Sequence, residues 1–276
     1  MGDNSNKNMW LKHWDSASVK SDKWRAFRNR YVKMSDYTTE YETGFWKRLF
    51  LLEDWMHEEN VTKAFMVESD VISFVNYSYH VYPYLPADCI AALMIPQRQD
   101  IEVWAASTHF SFWTISALED FTSFCIDAYA NDHIKHTLAS KHQWHTTNRV
   151  PGGISEMTLL YLWSKNNAKV FNLCGIINDT TFDLAMCDSR NYFENEYRMR
   201  LGFKRFTFRN GIPYGYNKIL EKEIRFGCIH CQGWAKSIMR FLYSPNMQKF
   251  YWLFIPIVST MNKVTRPLLK LRSTTT

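Results

Sequence analysis

The sequence has few of the features that would place it outside the cell or across a membrane. Its first thirty residues are polar and charged and contain no apolar core of the kind that a signal peptide carries. The six cysteines lack the spacing of a disulfide framework, so we expect free thiols and a cytoplasmic location. The apolar run at residues 250–258 is too short to span a bilayer and is interrupted by Pro256.

Signatures of zinc and nucleic-acid binding are also scarce. Four histidines lie between residues 132 and 149 without an HExxH motif or a carboxylate companion, and we interpret them as surface residues: His133, His136, His142 and His145. The single C-x-x-C, Cys228 to Cys231, has no second pair, which favours two core-facing thiols. No nucleic-acid-binding module is recognisable, so nucleic acid is not an expected partner.

Acidic residues are missing from the last part of the chain. Residues 224–276 contain eight lysines and arginines and no aspartate or glutamate, whereas the whole chain carries a net charge of +6. We therefore separate residues 1–236, an α/β domain, from residues 237–276, a basic, aromatic-rich and amphipathic helical tail. The tail could make peripheral contact with anionic lipid at the cytoplasmic membrane face, or it could cover the sheet as a C-terminal helix.

The composition and the pattern of apolar runs predict a folded α/β protein. Hydrophobic residues make up 46% of the 276 residues, and the aromatic share of 16% could line a carbohydrate or nucleotide site or fill the core. An Asn210-Gly211 turn predicts a hairpin, and residues 41–55 predict an amphipathic helix that packs on the sheet. The fold class we expect is a mixed, mainly parallel sheet flanked by helices, with strands at residues 63–67, 89–95, 103–113, 169–173 and 224–229.

Two carboxylates interrupt one of these apolar runs. Residues 63–67 predict a strand that is buried on both faces, and Glu68 and Asp70 follow it directly. Because an ionised carboxylate is poorly tolerated inside a sheet, both should lie at the carboxyl end of the strand, where α/β sheets bind ligands. Their spacing suits a hard divalent cation. The alternative is a solvated acidic turn.

Two further stretches carry candidate site residues. Gly152 and Gly153 form a tight loop whose backbone can approach a ligand closely, and Ser155 can cap a helix with Glu156 in its first turn. An ordinary helix start explains Ser155 and Glu156 but not the two glycines. His109 alternates with Ser111 and Trp113, as in a half-buried strand or, alternatively, a sugar-binding lip.

The predicted strand at residues 224–229 leads into His230, Gln232, Gly233 and Lys236. The chain passes here from a strand to a helix with a glycine at the turn. That arrangement can bring an imidazole ligand, backbone N–H groups and a cation to one diphosphate.

Taken in order, these motifs resemble those of metal-dependent glycosyltransferases of the A-type fold. Glu68-Ser69-Asp70 is similar to the D-x-D signature, with Glu in place of the first Asp. Residues 152–158 are similar to the Gly-Gly-hydrophobic-Ser-Asp-Met loop of polysaccharide-type transferases. His230-x-x-Gly233-x-x-Lys236 resembles the H-x-x-G-x-x-K element of the glycogenin and lipopolysaccharide galactosyltransferase group.

The resemblance implies a Rossmann-like fold, a nucleoside-diphosphate sugar as donor, Mn²⁺ or Mg²⁺ as cofactor, and a glycan or lipid-linked acceptor. It implies metal ligation by Glu68, Asp70 and His230, with Glu68 alternatively on the ribose, and a catalytic Glu156 beside the acceptor hydroxyl. The donor would contact a further set of residues: His109, Gly152, Gly153, Gln232, Gly233 and Lys236.

Relatives with this fold usually have more chain before the acidic motif, including a strand that holds the nucleoside base. The sequence is therefore consistent with three cases: an N-terminally truncated fragment, a compact variant, or a transferase that has lost donor binding. The alternative function is a non-catalytic protein that keeps the fold and binds glycan or membrane.

Overall fold

The computed structural model describes residues 21–248, 250–253, 255 and 256, and these form helices packed on mixed sheets. The α-helices are α1 (Asp22–Arg30), α2 (Thr39–Glu58), α3 (Tyr77–His80), α4 (Ile115–Ala128), α5 (Asp132–Asn148), α6 (Glu156–Ser164), α7 (Met239–Tyr243) and α8 (Pro245–Gln248), with 3-10 helices at Tyr82–Tyr84 and Gly233–Ile238. The strands are β1 (Lys63–Val67), β2 (Val71–Ser73), β3 (Ala91–Met94), β4 (Ser107–Thr114), β5 (Val170–Asn172), β6 (Ile176–Ile177), β7 (Thr180–Phe182), β8 (Met199–Arg200), β9 (Phe203–Lys204), β10 (Phe206–Arg209), β11 (Ile212–Asn217) and β12 (Lys222–His230).

The first sheet has the order β1-β4-β3-β5 and carries the larger core. Helix α2, predicted at residues 41–55, is confirmed, and it buries Trp46, Leu49 and Phe50 in this core. Helix α4 lies beside it and begins after Thr114, whose hydroxyl accepts a hydrogen bond from the Ala117 N–H at 3.3 Å. Thr114 therefore caps this helix by accepting at the first turn.

Strand β1 differs from the prediction of a strand buried on both faces. Both of its ends are exposed and its middle residues are half-buried. Among the described strands it pairs with β4 alone, so it forms an edge of the sheet. Its apolar residues pack locally, as shown by Phe65, whose ring lies 5.3 Å from that of Phe112. Apolar content alone did not distinguish such an edge strand from a central one.

The second sheet has the order β10-β11-β12-β7-β6, and β2 also pairs with β12. The predicted hairpin is confirmed: Asn210 and Gly211 have φ angles of 51° and 79° between β10 and β11, which is the left-handed backbone that such a turn requires. The predicted strand at residues 224–229 is also confirmed as the centre of β12. Cys228 and Cys231 are free, buried thiols in and next to this strand, as expected.

The prediction of a mainly parallel, Rossmann-like sheet is not confirmed. Among the described strands, only β3 with β5 and β7 with β12 pair in parallel, and the other ladders are antiparallel. The hydrophobic pattern indicates that a strand is buried but not the direction of its neighbour. The coarser prediction, an α/β fold with mixed sheets flanked by helices, is confirmed.

Part of the predicted C-terminal tail packs on the second sheet. Leu242, Tyr251 and Ile255 are buried in the same core as β12, and the Tyr251 hydroxyl accepts a hydrogen bond from the Phe206 N–H at 2.9 Å. Over the described residues the tail thus covers the sheet, as one alternative predicted, while residues 257–276 lie outside the described residues. None of the helices described here is both long enough and apolar enough to cross a membrane.

Candidate metal centre and catalytic cavity

The two carboxylates lie where the chain crosses from one sheet to the other. Strand β1 ends at Val67 in the first sheet and β2 begins at Val71 in the second. The Glu68 N–H donates to the His109 carbonyl at 2.9 Å, and the Cys231 N–H donates to the Asp70 carbonyl at 2.8 Å. Each acidic residue is therefore fixed by the backbone of a different sheet. Their position at a strand end is confirmed.

Glu68, Asp70 and His230 converge at this crossing. Each offers one ligand atom, and these atoms lie within 4.8 Å of one another. The Asp70 Oδ1 to His230 Nε2 distance is 3.6 Å. Asp70 is only 6% exposed, and Oδ1 has no hydrogen-bond partner among the described residues. A buried carboxylate oxygen without a donor is unfavourable, so the donor set fits a hard divalent cation.

The imidazole of His230 is oriented for ligation. Its Nδ1 lies 2.8 Å from the Leu184 carbonyl, to which it donates as the N–H tautomer, and its backbone N–H donates to Asp183 Oδ2 at 3.0 Å. The Nε2 lone pair then faces Asp70. A ligating histidine commonly has its other ring nitrogen fixed in this way.

His109 lies behind His230 and not in the cavity. The two rings stack at 4.0 Å with an interplanar angle of 15°. The His109 Nε2–H donates to the Asp183 carbonyl at 2.9 Å, which leaves Nδ1 to accept from the Ser107 hydroxyl at 2.8 Å. Burial, followed by the neighbouring His230, lowers the pKa of His109 well below its usual value, so the ring is neutral. The predicted donor contact of His109 is replaced by a supporting role, because the residue is 1% exposed.

A buried ion pair between Lys204 and Asp183 lies next to His109 and His230. Lys204 Nζ lies 2.5 Å from Asp183 Oδ1, and both side chains are almost fully buried. The ammonium also donates to the Ala185 and Arg190 carbonyls at 3.0 and 2.7 Å. The pair is fully hydrogen-bonded, which is the condition for a buried charge pair to be tolerated. Sequence reasoning missed both residues, since neither belongs to a local motif.

Arg48 connects Glu68, one of the candidate metal ligands, to Glu156. Its guanidinium lies 2.7 Å from Glu68 Oε1 and 3.2 Å from Glu156 Oε1. Sequence reasoning also missed Arg48, although a signal was present. Arg48 lies three residues after Phe45 and four before Leu52, on the apolar face of α2, where a charge needs a buried partner.

Glu156 begins α6, and Ser155 is its N-cap residue, as predicted. The Glu156 side chain is buried, and burial raises its pKa to about 7 despite the opposing effect of Arg48. A carboxyl group with this pKa exchanges its proton near neutral pH, which suits general-base catalysis.

A cavity of about 410 Å³ joins these groups. Its walls contain most of the predicted site residues: Glu68, Asp70, Glu156, His230, Gln232, Gly233 and Lys236. Lys236 Nζ lies 3.1 Å from Asp70 Oδ2, and its side chain is 60% exposed. Gly233 has a φ of 58° at the start of its 3-10 helix, in the left-handed region that favours glycine.

Gly153 lies against the segment before α2, Gly152 lies against the His145 ring of α5, and neither glycine lines the cavity. Gly153 pairs with Ser35, and a Cβ added to it would lie 2.2 Å from the Met34 carbonyl oxygen. The Gly152 N–H donates to Asp36 Oδ2 at 2.9 Å. The close backbone approach that the glycines permit is thus made to another part of the chain. Their contact with the donor stays a prediction.

A second group of possible ligands lies between α2 and α4, at Glu53, His57 and Glu119. Glu53 is already bound by Lys23 Nζ at 2.6 Å and by the Thr122 hydroxyl, so its charge is satisfied without an ion. Of the four histidines of α5 that were predicted to be surface residues, His133 and His136 are exposed and His142 is half-buried. The prediction is wrong for His145, which is only 7% exposed and whose Nδ1 lies 3.1 Å from the Val150 carbonyl oxygen.

The chain matches no protein-family model, no curated protein and no solved structure. The residues of the cavity are therefore the basis for a functional assignment.

Proposed function

We propose that this protein is a metal-dependent glycosyltransferase, which moves a sugar from a nucleoside-diphosphate sugar to a hydroxyl group of a glycan or lipid-linked acceptor. The observation that carries the proposal is the convergence of Glu68, Asp70 and His230 in one cavity with Lys236 and Glu156. This set combines cation ligands, a fixed positive charge and a buried carboxyl group, which are the groups that such a transfer needs.

The leaving-group side of the cavity is formed by Asp70, His230 and Lys236. Asp70, His230 and Glu68 would hold Mn²⁺ or Mg²⁺, which neutralises the charge that develops on the departing diphosphate. Lys236 contacts Asp70 through an exposed side chain, so it can turn from the carboxylate to a phosphate oxygen. Gln232 and the backbone of Gly233 line the same side.

The acceptor side is formed by Glu156 and Arg48. At pH values above about 7 the Glu156 carboxyl is ionised and can accept the proton of an incoming hydroxyl group. Arg48 is placed to stabilise that carboxylate through its 3.2 Å contact.

The finer description of the fold as A-type belongs to the same proposal. It is supported by the position of the acidic motif at the end of a strand and by the helices that pack on the first sheet. The three motifs also occur in the order that the resemblance requires.

A second candidate is a non-catalytic glycan-binding protein, and the contacts of Arg48 favour it. Arg48 bridges Glu68 and Glu156, and Lys236 pairs with Asp70, so two cations of the chain already compensate the carboxylates. In a transferase the metal and the donor must displace Arg48 and Lys236 from these carboxylates. In a binding protein both ion pairs can remain. Metal-dependent hydrolysis of a nucleotide sugar, lost in Glu156→Gln, would exclude this candidate.

Calorimetry with a panel of nucleoside diphosphates, in the presence and absence of Mn²⁺, tests the proposal. We expect binding that requires Mn²⁺ in the wild type and that is lost in Asp70→Asn and in His230→Ala. His133→Ala, which removes an exposed histidine of α5, is the matched control and should bind as the wild type does. Unchanged binding in both cavity variants would show that the metal-site assignment is wrong.

Peripheral membrane contact through residues 237–276 and a cytoplasmic location remain predictions. In the described part of this tail, Tyr243, Phe250 and Leu253 are exposed, at 75%, 50% and 46%. Such rings and aliphatic groups beside basic residues suit a lipid interface. Flotation with anionic vesicles should be weakened in a Phe250→Ser, Leu253→Ser double variant, and equal flotation of both proteins would contradict lipid contact by these side chains.

A further inference from the structure

Three aromatic side chains form one wall of the cavity at its mouth. Tyr37 and Tyr41 have ring centroids 5.2 Å apart, and Tyr41 and Phe45 have centroids 4.9 Å apart in an edge-to-face arrangement. All three line the cavity that contains Glu156. We call Tyr37, Tyr41 and Phe45 the aromatic wall. Tyr37 and Tyr41 are 53% and 55% exposed, so their ring surface is available to a ligand.

Glu42 lies beside the aromatic wall and has unused hydrogen-bonding capacity. The residue is 1% exposed and lines the cavity. Oε2 accepts a short hydrogen bond from the Ser35 hydroxyl, whereas Oε1 is buried and has no partner among the described residues. A buried carboxylate oxygen without a donor is unfavourable unless a ligand supplies one.

The distribution of charge separates two ligand chemistries within the cavity. Glu42 belongs to α2, which also carries most of the aromatic wall, and Arg48 of the same helix contacts Glu156 at 3.2 Å. Lys236 instead follows β12 together with Gln232 and Gly233. Carboxylates repel phosphate but accept hydrogen bonds from hydroxyl groups. A flat aromatic face beside hydroxyl acceptors fits the uncharged, C–H-bearing face of a sugar ring better than it fits a phosphorylated ligand.

We propose that the aromatic wall and Glu42 form the binding site for the acceptor sugar. A pyranose ring stacks on Tyr41 and Tyr37 and donates one hydroxyl hydrogen to Glu42. The assignment of this sugar as the acceptor rests on the proposed transferase function, because Phe45 and Arg48 continue the wall inward to Glu156. The Arg48 guanidinium lies 5.4 Å from the Phe45 ring centroid.

Saturation-transfer NMR tests the site without donor or metal. The probes are the methyl glycosides of glucose, galactose, mannose and N-acetylglucosamine, with uridine and guanosine as competing nucleosides. We expect at least one glycoside to bind the wild type, and binding to weaken by on the order of 10-fold in Tyr41→Ala, since a stacked ring contributes about one factor of ten. Glu42→Gln should weaken it as well. Tyr79→Ala, which removes a 74% exposed tyrosine from another surface, is the control.

Three results would overturn the proposal. They are no glycoside binding by the wild type, unchanged glycoside binding in Tyr41→Ala, or saturation-transfer signals from the nucleosides but from none of the glycosides. Failure of the transferase proposal has a different signature. In that case the glycosides bind and Tyr41→Ala weakens their binding, but no nucleoside diphosphate binds in the presence of Mn²⁺. The aromatic wall is then the glycan site of a binding protein. If transfer occurs, Tyr41→Ala should raise KM for the acceptor several-fold and leave KM for the donor unchanged.

Discussion

Replacing Glu156 by glutamine should change how the stability of the protein depends on pH. Burial raises the pKa of Glu156 from 4.5 to about 7, so the folded protein binds this proton more tightly than the unfolded chain does. The resulting stabilisation is complete below about pH 4.5 and is lost as the pH rises through about 7. Since one pKa unit corresponds to about 1.4 kcal/mol, the loss amounts to about 3 kcal/mol.

Glutamine carries no titrating proton and lacks this contribution. We therefore expect the free energy of unfolding of the wild type, measured relative to Glu156→Gln, to fall by about 3 kcal/mol between pH 4.5 and pH 8. Urea unfolding followed by tryptophan fluorescence, with a chelator present, measures the difference at each pH, and the other titrating groups cancel. Arg48→Met should extend the fall to higher pH, because Arg48 lowers the pKa of Glu156. A difference that stays constant across the range would refute the reasoning.

Three further substitutions test close packing and buried polar contacts in the fold by urea unfolding. Gly153→Ala should destabilise the fold by about 3 kcal/mol, because the added Cβ meets a carbonyl oxygen at 2.2 Å. In the control Gly44→Ala the added Cβ has no atom within 4 Å, so this change should stabilise α2 by about 0.5–1 kcal/mol. Equal changes in the free energy of unfolding for the two variants would contradict the close approach at Gly153. Lys204→Met should cost about 3–5 kcal/mol by leaving Asp183 charged and unpaired, and a neutral effect would show that the pair is not needed. Tyr251→Phe should lower the free energy of unfolding by about 1 kcal/mol, because the hydroxyl's hydrogen bonds to Phe206 of β10 are lost. Unchanged stability would contradict the packing of this part of the tail on β10.

The positions of Glu68, Asp70 and His230 were accessible from the sequence, because each interrupts or ends an apolar run. A charge at such a point has few places to lie except a strand end. Their meeting depends on β2 pairing with β12, which is a contact between distant parts of the chain. Composition and spacing carry no information on this pairing. The meeting of the three residues is therefore predicted by the resemblance alone.

The remaining differences also have physical causes. Arg48 does not stand out in the sequence, because a helix that packs on a sheet already explains the apolar residues around it. The glycines at 152 and 153 indicated a close approach correctly, but a sequence does not show whether a backbone approaches a ligand or another strand. The relative directions of the strands could not be predicted from the sequence, since parallel and antiparallel neighbours bury the same apolar residues.

The crossing at residues 68–70 has a consequence for the order of folding. Strand β1 pairs with β4 from the same half of the chain, whereas β2 pairs through Ser73 with Cys228, close to the C-terminal end of the described residues. Contacts of high sequence separation form late because the loop between them must first be closed. A ribosome-bound chain can therefore complete its first sheet while His230 is still unsynthesised. The cavity needs residues from both sheets, so its formation reports that both sheets are in place.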